Sequence, residues 1–104
     1  MDVFVRGPEL TLEASPLVVS AGDTLTFTTY RGIPGNGASL WAVKVDSTPI
    51  FALIYVGSFL ADGRFVVSGT VPSGLGTLDI TFRSYCVGLS GSVVATNDVK
   101  VSFQ

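Results

Sequence analysis

The fold class of this 104-residue chain is decided by the stretch Thr24-Leu25-Thr26-Phe27-Thr28-Thr29-Tyr30. Leu25 and Phe27 alternate with threonines, and successive side chains of a β-strand point to opposite faces of a sheet. β-branched and aromatic residues also favour the pleated, half-buried surface of a sheet. We therefore predict a strand that turns Leu25 and Phe27 towards a core, with Thr24, Thr26 and Thr28 facing outward.

Segments of the same kind recur along the chain and are separated by turns rich in Gly, Pro, Asp and Ser. They cover residues 10–14, 17–19, 40–45, 50–56, 64–71, 78–83, 93–95 and 99–103. The last two indicate one final strand interrupted at Thr96-Asn97-Asp98, a pattern consistent with a β-bulge. Strands spaced by about 8–12 residues predict an all-β sandwich or barrel, here with about seven to nine strands.

The period-two pattern also predicts which side chains form the core. The expected core residues are Leu12, Leu25, Phe27, Trp41, Val43, Phe65, Val67, Leu78, Ile80, Phe82, Val99 and Val101. One segment, residues 49–62, leaves an alternative open. Pro49 at a first helical position would permit a helix, although Gly57 and the many β-branched and aromatic residues favour a strand.

Composition limits the class of protein. Hydrophobic residues make up 47% of the chain and charged residues 13%, which argues against disorder. The net charge is −2 and the six Lys and Arg are scattered, so we expect no nucleic-acid partner. The apolar run 50–56 is too short to span a bilayer, so we expect no membrane insertion.

The sequence contains few residues of the types that catalyse reactions or bind metals. The chain has no His and one Cys, Cys86, so Ser–His and Cys–His pairs and a zinc site are all ruled out. The eight acidic residues are dispersed, and Asp23, Asp46, Asp62 and Asp98 fall at turns. We therefore predict no enzyme activity, no cofactor and no metal. Cys86 is expected to be a small buried hydrophobic residue.

Several turn-and-strand motifs resemble a known group of domains. They are Ser15-Pro16 and residues 20–27 (SAGDTLTF), 61–65 (ADGRF), 71–75 (VPSGL), 77–83 (TLDITFR) and 94–101 (VATNDVKV). With them, residues 9–104 resemble the small immunoglobulin-like or fibronectin-III-like β-sandwich modules of secreted or cell-surface bacterial proteins. The resemblance implies one antiparallel two-sheet Greek-key sandwich over residues 9–104, in a protein outside the cell or at its surface.

The sequence departs from the antibody-type pattern, since it has a single Cys and Tyr85 immediately precedes it. We therefore assign no binding residue to this chain on the basis of the resemblance. We expect a non-catalytic structural or interaction module that mediates assembly or docking, including as the subunit of a fibre. Its expected partner is protein, either another copy or a neighbouring domain of a parent chain.

A carbohydrate-binding accessory module of a secreted enzyme is the alternative. Tyr30 lies next to the loop 32–37, where recognition residues tend to be found, and is the candidate for stacking on a sugar ring. Three coplanar exposed aromatic side chains would favour this alternative. An apolar outer face or an unpaired terminal strand would favour the interaction module.

The segment 50–60 is the strongest candidate for a docking surface, because antiparallel sandwich strands normally have one polar face. In regular alternation, Ile50, Ala52, Ile54 and Val56 lie on one face, with Phe51, Leu53 and Tyr55 on the other. Both sets are apolar, so one apolar set should face outward. If Trp41 and Val43 point inward, Leu40 and Ala42 extend the outer patch.

The N-terminal segment is a second candidate. Val3, Phe4 and Val5 are strand-like, and Gly7-Pro8 separates them from the first sandwich strand. Residues 1–8 are therefore expected to be either a linker or an extra N-terminal strand. Such a strand would pair with its own sheet or add to a neighbouring molecule.

Overall fold

The computed structural model describes residues 10–88 and 91–104, and within these ranges the chain is all-β with no helix. This agrees with the predicted fold class. The described strands are β1 (Thr11–Ser15), β2 (Val18–Val19), β3 (Thr24–Tyr30), β4 (Gly37–Val45), β5 (Thr48–Ser58), β6 (Phe65–Thr70), β7 (Leu78–Val87), β8 (Val93–Ala95) and β9 (Val99–Phe103).

The strands form two packed sheets. The first sheet has the order β1-β3-β6, and the second has the order β2-β9-β7-β4-β5, with β8 also paired to β7. All pairs are antiparallel except β2 with β9. The edge strands β6 and β5 belong to different sheets, and both line an open cleft.

The interruption in the final strand is a bulge, as the sequence predicts. Tyr85 pairs with Ala95 and Phe82 pairs with Val99, so three residues (96–98) lie opposite two (83–84). The Thr96 N–H donates to the Ser84 carbonyl (2.9 Å), and the Ser84 N–H donates to Thr96 Oγ1 (3.0 Å). These bonds satisfy backbone groups that the interrupted ladder would otherwise leave unpaired.

Asn97, at the centre of this bulge, joins the two sheets. Its Oδ1 accepts a hydrogen bond from the Leu12 N–H (2.9 Å), and its Nδ2 donates to the Leu12 carbonyl (3.1 Å). Leu12 belongs to β1, an edge strand of the first sheet, and its side chain is buried. The Asn97 side-chain amide therefore makes the two backbone hydrogen bonds that a neighbouring strand would otherwise make to β1 at Leu12.

The core lies between the sheets and includes Phe27 and Phe82, whose ring centroids are 4.5 Å apart. Most of the predicted core is confirmed. Leu12, Leu25, Phe27, Val43, Phe65, Phe82 and Val101 are buried, and Val67, Leu78, Ile80 and Val99 are half-buried against them. Trp41 is the exception.

The expected orientation of β4 is wrong. Leu40 and Ala42 are buried, with 0% and 5% of their surface exposed, while Trp41 packs against side chains on the outer face. Outside the core, the Trp41 indole N–H donates to Ser39 Oγ (2.8 Å), whereas Leu40 has no polar group to satisfy when buried. Val43 is also buried, because the β4–β7 register shifts between Ala42 and Lys44.

The segment 49–62, for which the sequence also allowed a helix, contains strand β5 and no helix. β5 is antiparallel to β4, and Asp46 and Ser47 form the turn between them. Asp46 has a positive φ of 53°, a conformation that Asp tolerates better than most residues. After β5, Phe59 is buried and a turn leads through Gly63 into β6, as the sequence predicts for residues 61–63.

Candidate functional site

The described residues offer little for catalysis or metal binding. Across 10–88 and 91–104, no three or more His, Cys, Asp or Glu side chains come together as a metal site. The same ranges contain no helix of the length and apolar character needed to cross a membrane.

Two of the acidic side chains are held in ion pairs with arginine. Arg83 donates to Asp98 through Nε (2.6 Å) and Nη2 (3.0 Å), and Arg64 Nε donates to Asp62 (2.8 Å). These hydrogen bonds are the main reason that the pKa of each carboxyl is lowered. A carboxyl with a lowered pKa stays ionised near neutral pH, so neither group is suited to act as a general acid.

The environment of the single thiol, that of Cys86, does not favour reactivity either. Cys86 is 2% exposed, and burial raises the pKa of its thiol, only partly opposed by the contact between its Sγ and Ser84 Oγ (3.6 Å). Reactive cysteines need a stabilised, accessible thiolate. Cys86 therefore behaves as the buried hydrophobic residue that the sequence predicts.

The most unusual feature of the surface is β5. Among the described strands it pairs with β4 alone, so its other edge has no partner strand. β5 is 11 residues long and has no charged side chain. Its exposed large hydrophobic side chains are Phe51 (62%), Leu53 (49%), Ile54 (48%), Tyr55 (53%) and Val56 (60%). Edge strands are normally protected by charges, proline, bulges or short length. β5 has Pro49 near its start and irregularities in its pairing with β4, but it is long and has no charge.

The pairing of β5 with β4 assigns its side chains to two faces. Leu40 pairs with Tyr55 and Trp41 pairs with Leu53, so Ile54 is an extra, bulged residue. Since Leu40 points inward and Trp41 outward, Tyr55 lies on the inner face and Leu53 on the outer face. The outer set is Phe51, Leu53 and Val56, and the inner set is Ile50, Ala52, Ile54 and Tyr55. The predicted sets are therefore wrong for Tyr55 and Val56, because the bulge exchanges their faces.

Beside β5, three rings pack together on the outer face, and we call them the outer aromatic cluster: Trp41, Phe51 and Tyr85. The rings of Trp41 and Phe51 are stacked, with centroids 4.6 Å apart and an angle of 20° between their planes. Tyr85 stands edge-on to both, at 6.4 Å from Trp41 and 5.8 Å from Phe51. Arg83 donates to the Tyr85 hydroxyl (2.8 Å), which fixes this ring.

On the inner side of β5, an open cleft of about 390 Å³ lies between β5 and β6. Tyr55 lines it from β5 and Val67 from β6, and the core residues Phe27 and Phe82 also contribute to its surface. The cleft is mainly apolar, and the backbone edges beside it are the outermost strands of the two sheets. Both faces of β5 therefore border apolar surface.

The structure brings some of the predicted site residues together and separates others. Ala52, Ile54 and Val56 are exposed on β5, and Ile50 is half-buried there. Leu40 and Ala42 are core residues and cannot line a surface, so the prediction that they extend the outer patch is wrong. Val3, Phe4 and Val5 lie outside the described residues.

Tyr30 is half-buried and lies on the outer face of β3, in the other sheet, because its neighbour Thr29 points inward and is 1% exposed. The other aromatic residues of β1, β3 and β6 are Phe27 and Phe65, which are both buried in the core. Among the described residues of its own sheet, Tyr30 therefore has no aromatic neighbour on the outer face.

The sequence did not identify the outer aromatic cluster as a site. Phe51 is three residues from the β5 bulge at Ile54, and Trp41 and Tyr85 come from strands far apart in the sequence. Only the strand register brings the three side chains together. No protein-family model matches this chain, and no curated protein matches it. The functional conclusion therefore depends on the geometry of the surface.

Proposed function

We propose that this chain is a non-catalytic structural or interaction module that mediates assembly or docking with protein through β5. The observation that carries the proposal is the long, charge-free edge strand with apolar side chains exposed on both faces. A strand with a free edge is a template for pairing with another chain, and its backbone groups provide the hydrogen bonds.

The continuity of the apolar surface supports the same function. The largest apolar patch on a monomeric protein typically covers about 300–600 Å² and is often functional. Here the outer set of β5 continues into Trp41 and Tyr85 on the neighbouring strands. Aromatic residues are also enriched among the residues that dominate binding energy at interfaces.

Carbohydrate binding has less support. A flat sugar platform needs rings side by side in one plane, whereas Trp41 and Phe51 stack on each other and Tyr85 is edge-on. Tyr30 lies on the opposite sheet, away from this cluster.

We also propose that the sandwich is of the immunoglobulin-like type and that the module works outside the cell or at its surface. The first part is supported by the strand order, in which β1, β3 and β6 pack against a sheet containing β9, β7, β4 and β5. The second part is supported by the resemblance of the turn-and-strand motifs alone.

A photoreactive phenylalanine analogue at position 53 tests the proposed function in the cells that produce the protein. Leu53 is 49% exposed at the middle of β5, so a bound partner should lie within reach and form an adduct on illumination. The matched control carries the analogue at position 66. Val66 is 40% exposed on β6, the edge strand of the other sheet.

Adducts at position 53 that are absent at position 66 are expected, whatever their mass. No adduct at position 53, or equal adducts at both positions, would contradict the proposed function. The mass of the adduct identifies the kind of partner.

A further inference from the structure

We infer that the partner of β5 is a second copy of this chain, which adds its own β5 in antiparallel orientation about a two-fold axis. The inference rests on the proposed function and specifies the partner. The two six-stranded sheets would then form one continuous sheet across the dimer. Closed two-fold dimers are the commonest arrangement of identical chains.

Because β5 exposes apolar side chains on both faces, a second copy of β5 suits it better as a partner than an unrelated strand. A two-fold axis perpendicular to the sheet keeps each outer face beside the other outer face. Phe51, Leu53 and Val56 of both copies would meet on one side, and Ile54 and Tyr55 of both copies on the other. A strand with the usual single apolar face would leave one of these two surfaces exposed to water.

Charge favours the same partner. A charge close to the two-fold axis would meet its own copy, and like charges directly opposite each other in a sheet are destabilising. No Lys, Arg, Asp or Glu lies between Thr48 and Ser58, so self-pairing has no such cost.

The area available reaches the lower limit for a specific dimer. The five exposed large hydrophobic side chains of β5 offer at most on the order of 500 Å² per copy, and two copies on the order of 1,000 Å². A specific interface needs about 1,000 Å² or more, and most bury about 1,200–2,000 Å². The backbone hydrogen bonds of the new strand pair come in addition, since about half of the N–H and C=O groups of an edge strand point away from its neighbour.

Light scattering on the purified protein at about 100 µM tests the inference, since a micromolar dimer is mostly associated at that concentration. The wild-type chain is expected at twice its 10.9 kDa mass. Leu53→Lys should halve the measured mass, because a charged side chain at the centre of an edge strand opposes pairing. Val56→Lys, on the same outer face, should do the same, which provides a second variant if one fails to fold.

Val66→Lys is the matched control and should stay dimeric, because it places the same charge on an exposed valine of the other sheet. All variants should keep the wild-type strand signal in circular dichroism.

A monomeric wild-type chain at this concentration would overturn the inference. So would a dimer that survives Leu53→Lys and Val56→Lys but dissociates when residues 1–8 are deleted, because the N-terminal segment would then make the contact. An adduct at position 53 with a different protein would also overturn it, while leaving the proposed docking function intact.

Discussion

Phe82→Ala is expected to lower the free energy of unfolding by about 3–5 kcal/mol, because the loss of buried area and the cavity left behind add together. Phe82 is 5% exposed on β7, which lies between β9 and β4 in the second sheet. Its ring centroid is 4.5 Å from that of Phe27, across the interface between the two sheets. Denaturant unfolding measures the change.

Phe51→Ala is the matched control, since it removes the same atoms from a ring that is 62% exposed. We expect it to cost less than about 1 kcal/mol, mainly from the lost stacking on Trp41. Both changes should be made in the Leu53→Lys background, so that association does not contribute to stability. Equal losses for the two variants would mean that the faces of the second sheet are wrongly assigned.

Asn97→Ala is expected to cost about 1–3 kcal/mol, because it removes the two hydrogen bonds to the Leu12 N–H and carbonyl at an exposed position. These bonds span 85 positions of sequence and join β1 to the bulge between β8 and β9. The loss should appear as a lower midpoint with an unchanged slope in denaturant unfolding.

Asn36→Ala provides the comparison, since the Asn36 side chain donates one hydrogen bond, to the Val87 carbonyl (3.1 Å). We expect it to cost about 1 kcal/mol. If Asn97→Ala is no more destabilising than Asn36→Ala, the hydrogen bonds between Asn97 and Leu12 contribute little to the stability of the fold.

Local pattern was enough to predict several parts of the fold. The alternation of Leu25 and Phe27 with threonines predicted the inward face of β3. The break in alternation at residues 96–98 predicted the bulge, because an inserted residue interrupts a period of two in the sequence itself. The two-sided apolar character of residues 50–56 likewise predicted where exposed hydrophobic surface would lie.

Features that depend on register could not be predicted in this way. In β4, Leu40 and Trp41 are both apolar, so hydrophobicity alone does not decide which of them points inward. In β5, the bulge at Ile54 leaves no polar residue to mark it and exchanges the faces of Tyr55 and Val56. The contact between Asn97 and Leu12 depends on how the two sheets pack, which no local pattern encodes.

Backbone amide hydrogen exchange of residues 48–58 at low and high protein concentration tests the pairing of β5 most directly. At low concentration, amides that bond to β4 should be protected, and those at the free edge should exchange rapidly. At high concentration the free-edge amides should also become protected, while β6 should not change. Exchange at β5 that is the same at both concentrations, in a range where light scattering reports association, would contradict pairing through this edge.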